Sequence, residues 1–346
     1  MVSGAHMTES TPLLQVTDLS IRFAGVPGNL VDGVSLTLNA GETLCVVGES
    51  GCGKSLTALA LMGLLPMPPA RRMSGQAIFE GQDLFDMPLE ALKDIRGNRM
   101  AMIFQEPMTS LNPAIKVGEQ IAEAVRRHKG VNREQARARA LEMLRRVRIP
   151  APEKRLDEYP HQMSGGMRQR AMIAMALAND PALLIADEPT TALDVTVQAQ
   201  VLDLMRTLQR ETNAALIMIT HDLGVVAEMA DTVVVMYAGR IVEAGPVRKV
   251  FEDPQHPYTI GLMSSMPDLG PRGGRLVTIP GVVPPADAMP EGCRFAARCP
   301  FAGADCAAAP PLRDLGDRHR VACWRAPLEF GAPDLAAHPA AQGAAS

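Results

Sequence analysis

A complete phosphate-binding loop occupies residues 48–55, with the sequence Gly48-Glu49-Ser50-Gly51-Cys52-Gly53-Lys54-Ser55. Its glycines allow backbone N–H groups to close around an anion at positions where a Cβ would obstruct the approach. Lys54 is expected to neutralise phosphate oxygens, and Ser55 is expected to bind Mg²⁺. The preceding Leu44–Val47 is apolar and strand-like, and the N-terminus of the helix that begins at Lys54 would add partial positive charge. This strand, loop and helix context predicts that the loop, together with the adjoining Leu56, binds a nucleoside triphosphate.

A second run typical of nucleotide sites follows far along the chain, Leu183-Leu184-Ile185-Ala186-Asp187-Glu188-Pro189. It is apolar and strand-like, and it ends in two carboxylates. Taken alone, such an Asp-Glu pair is more often an ordinary strand end. In combination with the loop at residues 48–55, the run indicates a nucleoside triphosphatase.

The bulk composition limits the classes of protein that remain. The 346 residues carry a net charge of −4 and are 47% hydrophobic, which indicates a globular chain of about two domains. There is no broad basic field, so nucleic acid is not an expected partner. No apolar run approaches the roughly 20 residues that cross a bilayer, and the N-terminus lacks the features of a secretory signal, so we expect a cytoplasmic protein. The first residues, Met1–His6, resemble a cloning scar.

Three patterns of hydrophobicity succeed one another along the chain. Residues 13–80 contain short strand-like runs, residues 84–178 are mainly helical, and strands alternate with helices over residues 183–244. The alternation predicts an α/β fold with a parallel sheet flanked by helices. Proline, glycine and cysteine then become frequent, which suggests a C-terminal domain at residues 251–330, and the alanine-rich residues 331–346 are expected to be disordered.

Four further motifs complete a pattern that resembles the ABC ATPases. The four motifs are Phe104-Gln105-Glu106-Pro107, Met163-Ser164-Gly165-Gly166-Met167-Arg168-Gln169-Arg170, Thr191-Ala192-Leu193-Asp194 and Thr220-His221-Asp222. They occur in addition to the two nucleotide runs. Three longer runs more narrowly resemble the ATP-binding subunits of dipeptide and oligopeptide permeases. They are Glu106-Pro107-Met108-Thr109-Ser110-Leu111-Asn112-Pro113, Tyr159-Pro160-His161-Gln162 and His256-Pro257-Tyr258-Thr259. The resemblance covers roughly Leu14 to Trp324. It implies a P-loop ABC ATPase cassette at residues 13–250, with an N-terminal antiparallel β subdomain and a helical subdomain at about residues 84–178.

The resemblance implies a role for each matching residue of this chain's own ATP site. Asp187 would either coordinate Mg²⁺ directly or contact it from the second coordination shell. Glu188 would be the general base that polarises the attacking water. Gln105 would sense the metal and the water, and His221 would contact the γ-phosphate. Phe23 is a candidate to stack on adenine, although a simple core aromatic is as good an interpretation.

The same resemblance implies that two chains share each nucleotide. Ser164, Gly165 and Gly166 would bind the γ-phosphate held by the partner, and Asp194 would lie in a loop at the dimer interface. The signature has methionine at 163 and 167, where the family more often has leucine and glutamine. Methionine at the second position is associated with one of the two ATPase subunits of peptide permeases, which favours a heterodimer with a related ATPase.

The implied function is the energy-coupling subunit of a bacterial importer of di- or oligopeptides, acting on the cytoplasmic face of the inner membrane. Its partners would be a homologous ATPase, two transmembrane permease subunits and, indirectly, an extracellular substrate-binding protein. Importers of nickel, glutathione or opines use the same type of ATPase and stay open as alternatives. A soluble ABC ATPase of DNA repair or translation is disfavoured, because neither a long coiled coil nor a second cassette is present.

Four cysteines cluster after the cassette, Cys293, Cys299, Cys306 and Cys323. Their segment has little apolar content, so it needs a cross-link to hold it together. In a reducing compartment, clustered thiols point to a metal centre rather than to disulfides. The wide spacing and Pro300 favour a [4Fe–4S] cluster over Zn²⁺, with free thiols as a third possibility. Peptide-permease ATPases with this cysteine pattern suggest the same cluster. A structural clamp is the favoured role, and a redox or iron sensor is the alternative.

Overall fold

The computed structural model describes residues 11–105, 110–191, 194–265 and 279–328. Several expectations therefore concern positions outside these ranges. They are the scar at Met1–His6, the tail at residues 331–346, the run Glu106–Thr109 of the permease-like motif, and Ala192 and Leu193 of the interface loop. Within the described ranges, the strands form two sheets.

The smaller sheet is antiparallel and lies at the N-terminal side of the chain. Its strands are β1 (Leu14–Phe23), β2 (Val31–Leu38), β4 (Ala70–Phe79) and β5 (Gln82–Asp83). They pair in the order β2-β1-β4-β5, and the β1 pairings are interrupted by bulges. Apolar side chains of β1 such as Leu14 and Ile21 are fully buried. The expected N-terminal antiparallel subdomain is confirmed.

The larger sheet carries the parallel core. Its strands are β3 (Thr43–Val47), β6 (Met100–Ile103), β7 (Leu183–Asp187), β8 (Ala215–Ile219), β9 (Thr232–Tyr237), β10 (Arg240–Pro246), β11 (Arg313–Asp314) and β12 (Arg320–Val321). The order is β11-β12-β10-β9-β3-β8-β7-β6, parallel from β9 to β6 and antiparallel from β9 to β11. Every residue of β3, β7 and β8 is buried, as expected for parallel strands covered on both faces.

Ten α-helices are described, and they cover the larger sheet and fill the region between β6 and β7. They are α1 (Lys54–Leu61), α2 (Leu89–Ile95), α3 (Val117–Lys129), α4 (Arg133–Arg146), α5 (Pro152–Arg155), α6 (Gly165–Leu177), α7 (Val195–Thr212), α8 (Leu223–Met229), α9 (Val247–Glu252) and α10 (Pro257–Ser264). Helix α4 begins with a reciprocal capping box between Asn132 and Gln135. None of the described helices is both long enough and apolar enough to cross a membrane.

One expectation about the helical region needs correction. Residues 84–178 were expected to be mainly helical, yet β6 lies inside this range and forms the edge of the parallel sheet. Its four residues are all buried. A strand this short, flanked by charged residues, leaves too little hydrophobic periodicity to be recognised from the sequence.

The residues beyond the cassette continue its sheet. The short strand β12 pairs with β10, and β11 pairs with β12. Glu243 of β10 is fully buried and accepts hydrogen bonds from the backbone N–H groups of Gln255 and His256, at 2.6 and 3.0 Å. Its Oε1 also lies 2.8 Å from Nε2 of His319. These contacts attach residues beyond the cassette to β10, an antiparallel strand of the larger sheet.

Candidate nucleotide-binding site

The phosphate loop joins the end of β3 to the start of α1, as the sequence predicts. Gly48 and Gly53 adopt positive φ angles of 151° and 99°. A Cβ on Gly48 would lie 2.2 Å from the carbonyl oxygen of Met236, and one on Gly53 would lie 2.9 Å from that of Leu30. Both distances are too short for a real contact. The loop therefore needs glycine for its backbone angles and for its close packing on β9.

Lys54 lies at the first position of α1 and is almost completely buried. Its Nζ donates to the carbonyl oxygens of Gly48 and Glu49, at 2.7 and 3.1 Å. The ammonium group thus lies against the loop that would also bind a phosphate. This arrangement places a cation at the mouth of the loop, where the N-terminus of α1 adds to the positive potential.

Ser55 and Asp187 meet across the parallel sheet. The Ser55 hydroxyl donates a 3.0 Å hydrogen bond to Oδ1 of Asp187, which is the last residue of β7. Burial, together with the nearby charge of Glu188, raises the pKa of the Asp187 carboxyl above its usual value, against the opposing effects of Ser55 and Lys54. A hydroxyl and a carboxylate are ligands that Mg²⁺ prefers. The pair can therefore hold a divalent cation beside the loop.

Glu188 follows β7 in the left-handed region, with a φ of 47°. This conformation is costly for a residue with a side chain, and such strain is often found at functional sites. The backbone N–H of Glu188 donates to the carbonyl oxygen of Ile219, which ties the turn to β8. The carboxylate is largely shielded from solvent, whereas the nearby His221 side chain is 65% exposed.

Three side chains surround one carboxylate oxygen of Glu188. Gln105 donates to Oε2 from Nε2 at 3.2 Å, and Thr191 donates to the same oxygen from its hydroxyl at 2.7 Å. Nδ1 of His221 lies 3.5 Å away from it. The structure therefore brings together the three residues expected to be catalytic. Thr191 was not predicted as a partner of Glu188, although it lies in a motif that the sequence singles out.

The signature residues occupy the start of α6. The Ser164 hydroxyl accepts a hydrogen bond from the backbone N–H of Met167 at 3.3 Å and so caps the helix. Ser164 and Gly165 are exposed, and a Cβ added to Gly165 would meet nothing within 4 Å. Met163 is buried in the core. The helix start is thus an open surface that a second chain can approach.

The contacts of Asp194 and Phe23 point less specifically to a role. Asp194 is exposed and caps α7 by accepting from the backbone N–H of Val197 at 3.0 Å. Phe23 ends β1 half-buried and packs against the core of the smaller sheet. Both the adenine platform and the core interpretation of Phe23 stay open. Leu56 is also half-buried and packs against the same core.

The four cysteines of the C-terminal region line one small cavity. All four are free and partly buried, and the backbone N–H of Cys293 donates to the carbonyl oxygen of Cys306 at 2.9 Å. Burial and the neighbouring thiols raise the pKa of Cys299 to about 11. Within the residues that the structure describes, however, no three side chains of His, Cys, Asp or Glu are arranged to hold a metal ion. The expected metal centre is not formed, although its four donors share a cavity.

Two contacts of the loop involve residues whose role was not predicted. Tyr258 accepts a hydrogen bond from the backbone N–H of Glu49 at 2.8 Å. Arg298 pairs with the Glu49 carboxylate through both of its terminal nitrogens. Arg298 lies 249 residues from the loop, so no local spacing could reveal the contact.

Comparison with known proteins agrees with the geometry. Residues 31–191 match the family model described as ABC transporter, and residues 242–306 match the model of the oligopeptide/dipeptide transporter C-terminal region. The chain is 51% identical to the oligopeptide transport ATP-binding protein OppD of Bacillus subtilis (strain 168), over 92% of this chain and 90% of that protein. It is also 51% identical to the protein of the same description from Haemophilus influenzae, over 92% and 99% of the two chains.

A solved structure shares the fold. A dimeric ATP-binding cassette in a post-hydrolysis state, bound to ADP and phosphate, superposes with a TM-score of 0.61 at 26% identity. It covers 68% of this chain and 99% of that one. The match accounts for the cassette, and the family model at residues 242–306 accounts for part of the C-terminal region. The chain therefore belongs to the ATP-binding subunits of the oligopeptide and dipeptide family of ABC transporters, and it is an ATPase.

Proposed function

We propose that this chain hydrolyses Mg·ATP to drive the import of di- or oligopeptides through a membrane transporter. The observation that carries the proposal is the grouping of Gln105, Thr191 and His221 around Glu188, beside the Ser55–Asp187 pair. This machinery occurs in a chain whose C-terminal region matches the oligopeptide/dipeptide transporter family. Relatives described as peptide import ATP-binding proteins support the choice of cargo.

Binding of the triphosphate involves the loop and the buried Lys54. The ammonium group exchanges its contacts with the carbonyl oxygens of Gly48 and Glu49 for β- and γ-phosphate oxygens. Ser55 and Asp187 would hold Mg²⁺, and the bound ion would supply positive charge that neutralises the phosphates. The residues present fit this ion, because a hydroxyl and a buried carboxylate already meet at the mouth of the loop.

Hydrolysis requires a base close to the γ-phosphate. Glu188 accepts a proton from a water molecule as the water oxygen forms its bond to the γ-phosphorus. The bond from phosphorus to the bridging oxygen breaks, and ADP leaves with that electron pair. Gln105 and Thr191 fix the orientation of the carboxylate, and His221 lies where it can contact the transferred phosphoryl group.

The site is completed by a second ATPase chain. The exposed start of α6, with Ser164, Gly165 and Gly166, offers a hydroxyl and helix N–H groups to a γ-phosphate bound by a partner. Asp194 lies at the start of α7, next to the turn that contains Thr191, and is assigned to the interface. Met167 in the signature supports a related, non-identical partner.

The remaining partners follow from the transporter family. Two membrane permease subunits would contact the helical region that follows Gln105, and a substrate-binding protein outside the membrane would deliver the cargo. The chain would then lie on the cytoplasmic face of the inner membrane as a peripheral subunit. Nickel, glutathione or opines are the alternative cargoes.

The cysteines are assigned to a metal centre, with a [4Fe–4S] cluster preferred to Zn²⁺. Convergence of four free thiols on one cavity supports a metal, and their wide spacing favours iron–sulfur. Anaerobic purification should yield a brown protein with iron and sulfide. Stoichiometric zinc in a colourless protein would overturn the assignment.

Cargo is tested with the complete transporter in proteoliposomes. ATP hydrolysis should rise when the cognate binding protein carries a dipeptide or an oligopeptide. The same binding protein with nickel, glutathione or an opine serves as the matched control. Stimulation by one of these and not by peptides would refute the peptide assignment while leaving the ATPase assignment intact.

A further inference from the structure

The phosphate loop is held from outside by the cysteine-bearing segment. Arg298 precedes Cys299 and lies 249 positions after Glu49. Its Nη1 donates to Oε2 of Glu49 at 2.8 Å, and its Nη2 donates to Oε1 at 3.0 Å. The pair is therefore bidentate, which fixes the carboxylate in direction as well as in distance.

The guanidinium group is itself held rigidly. Its Nε donates to the carbonyl oxygen of Pro280 at 2.8 Å, its Nη2 reaches that of Ile279 at 3.3 Å, and its Nη1 reaches the hydroxyl of Tyr237 at 3.3 Å. Burial alone would lower the pKa of Arg298, but the hydrogen bonds with Glu49 and Tyr237 outweigh it and raise the pKa. The cation is thus permanent and fixed in position.

The backbone of Glu49 is fixed as well. Its N–H donates to the hydroxyl of Tyr258 at 2.8 Å, and Tyr258 is fully buried in α10. The rings of Tyr258 and Tyr237 pack on Phe295, with centroids 5.5 and 5.1 Å away, and Phe295 belongs to the cysteine-bearing segment. Both the side chain and the N–H of Glu49 are therefore anchored in the C-terminal region.

Because its charges are shielded from water, the Arg298–Glu49 ion pair is energetically costly to break. The side chain of Arg298 is only 6% exposed and that of Glu49 is 29% exposed. Removal of one partner from such a pair leaves a charge with poor access to water, which is strongly unfavourable. The segment therefore keeps Glu49, and with it the loop, in one position before ATP arrives.

We propose that Arg298 is a positioning residue for ATP binding, so that the cysteine-bearing segment forms part of the nucleotide site. Through Glu49, it holds the phosphate loop in the conformation that receives the triphosphate. Any change that displaces residues 293–299 is then transmitted to the loop. The inference rests on the proposed assignment of residues 48–56 as the ATP-binding loop.

The test is a double-mutant cycle in the full-length chain. Arg298→Ala, Glu49→Gln and the double variant are titrated with a fluorescent ATP analogue in the presence of Mg²⁺. Each single variant should weaken binding about fivefold or more, the lower end of usual coupling between sites. The double variant should be no weaker than Arg298→Ala, because both changes remove the same interaction. Additive losses would overturn the proposal.

Two controls separate positioning from general damage. Arg325→Ala removes an arginine of the same segment that donates to the carbonyl oxygen of Phe301 at 2.8 Å. It should leave nucleotide affinity unchanged, and an equal loss would show that only the stability of the segment matters. In the assembled transporter, Arg298→Ala should raise KM for ATP by the same factor and change kcat by less than about twofold. A fall in kcat at unchanged KM would also contradict the proposal.

Lys54→Ala distinguishes failure of this inference from failure of the proposed function. If Lys54→Ala binds the analogue as well as the unchanged protein does, residues 48–56 are not the ATP site. If Lys54→Ala loses binding but Arg298→Ala does not, the site assignment stands and the positioning role is wrong. Glu49→Gln changes no residue of the cysteine-bearing segment, so the inference stays testable even if Arg298→Ala does not fold.

Discussion

The hydroxyl of Ser55 donates a hydrogen bond to Oδ1 of Asp187, although the two residues are 132 positions apart. The contact exists because β3 and β7 both pair with β8 in parallel, so that their carboxyl ends reach the same edge of the sheet. Ligands of α/β proteins bind at this edge. The relationship locates the metal-binding part of the ATP site.

Replacement of Asp187 should weaken Mg²⁺ binding and so raise the Mg²⁺ concentration that hydrolysis requires. In Asp187→Asn the carboxylate charge is lost while the hydrogen bond with Ser55 can persist, so the Mg²⁺ concentration for half-maximal hydrolysis should rise about tenfold or more. It is measured by titrating Mg²⁺ at fixed ATP. Asp203→Asn, which alters an exposed carboxylate paired with Arg148, should leave the titration unchanged. An unaltered Mg²⁺ midpoint in Asp187→Asn would remove Asp187 from the metal site.

Gly165 should matter only to the ATP of a partner chain. A Cβ at this position meets nothing within 4 Å in the chain itself, so Gly165→Ala should fold and bind ATP as before. If Gly165 binds the partner's γ-phosphate as proposed, the added methyl group would obstruct that contact, and kcat of the assembled transporter should fall at least about tenfold. Nucleotide titration of the isolated chain is the internal control. Normal kcat in Gly165→Ala would argue against a role of α6 in the shared site.

Glu243 should be a main contributor to the stability of the C-terminal attachment. Glu243→Ala leaves two backbone N–H groups and the ring of His319 without their common acceptor, and the free energy of unfolding should fall by about 3–5 kcal/mol. Denaturant unfolding measures this change. Glu252→Ala removes an exposed glutamate paired with Arg248 and should cost at most about 1 kcal/mol. Equal effects of the two substitutions would show that the buried contacts of Glu243 are not important.

The buried thiol of Cys45 should make the free energy of unfolding decrease at alkaline pH. Burial in β3, with a contribution from Asp231, raises the pKa of its thiol to about 12 from the usual 9.0. Between these two values the unfolded chain loses the proton and the folded chain keeps it, so stability is complete below pH 9.0 and falls as pH rises toward 12. The slope is up to about 1.4 kcal/mol per pH unit. Cys45→Ala should lose stability through packing at every pH but should show a shallower slope above pH 9. Identical slopes would mean that the thiol does not stay protonated in the fold.

Much of the cassette could be predicted from the sequence, because its signals are local. The loop needs glycine at fixed offsets, and strands such as β7 and β8 are uninterrupted apolar runs. The predicted alternation of strands and helices over residues 183–244 is present from β7 to β10. The two carboxylates, Asp187 at the last position of β7 and Glu188 after it, are predictable from their place at the end of a parallel strand.

The contacts that were missed are those between distant parts of the chain. β6 has only four residues, so its pattern could not be separated from the surrounding helices. Arg298 and Tyr258 reach Glu49 only because the chain folds back after β10, and no spacing in the sequence encodes that return. The four-cysteine motif predicted a metal centre, and the structure shows only that all four cysteines line one cavity. Among the described residues, no three His, Cys, Asp or Glu side chains are arranged to hold a metal ion.

The most direct test of the account concerns Glu188. The transporter is assembled with Glu188→Gln, a change that keeps the size of the side chain and its contacts with Gln105 and Thr191 but removes the base. ATP hydrolysis should fall by about 10²- to 10⁴-fold, while Mg·ATP affinity of the chain stays within about twofold of the unchanged protein, since Glu188 is not assigned to phosphate binding. Hydrolysis at the unchanged rate in Glu188→Gln would contradict the assignment of this carboxylate as the general base and, with it, the proposed mechanism.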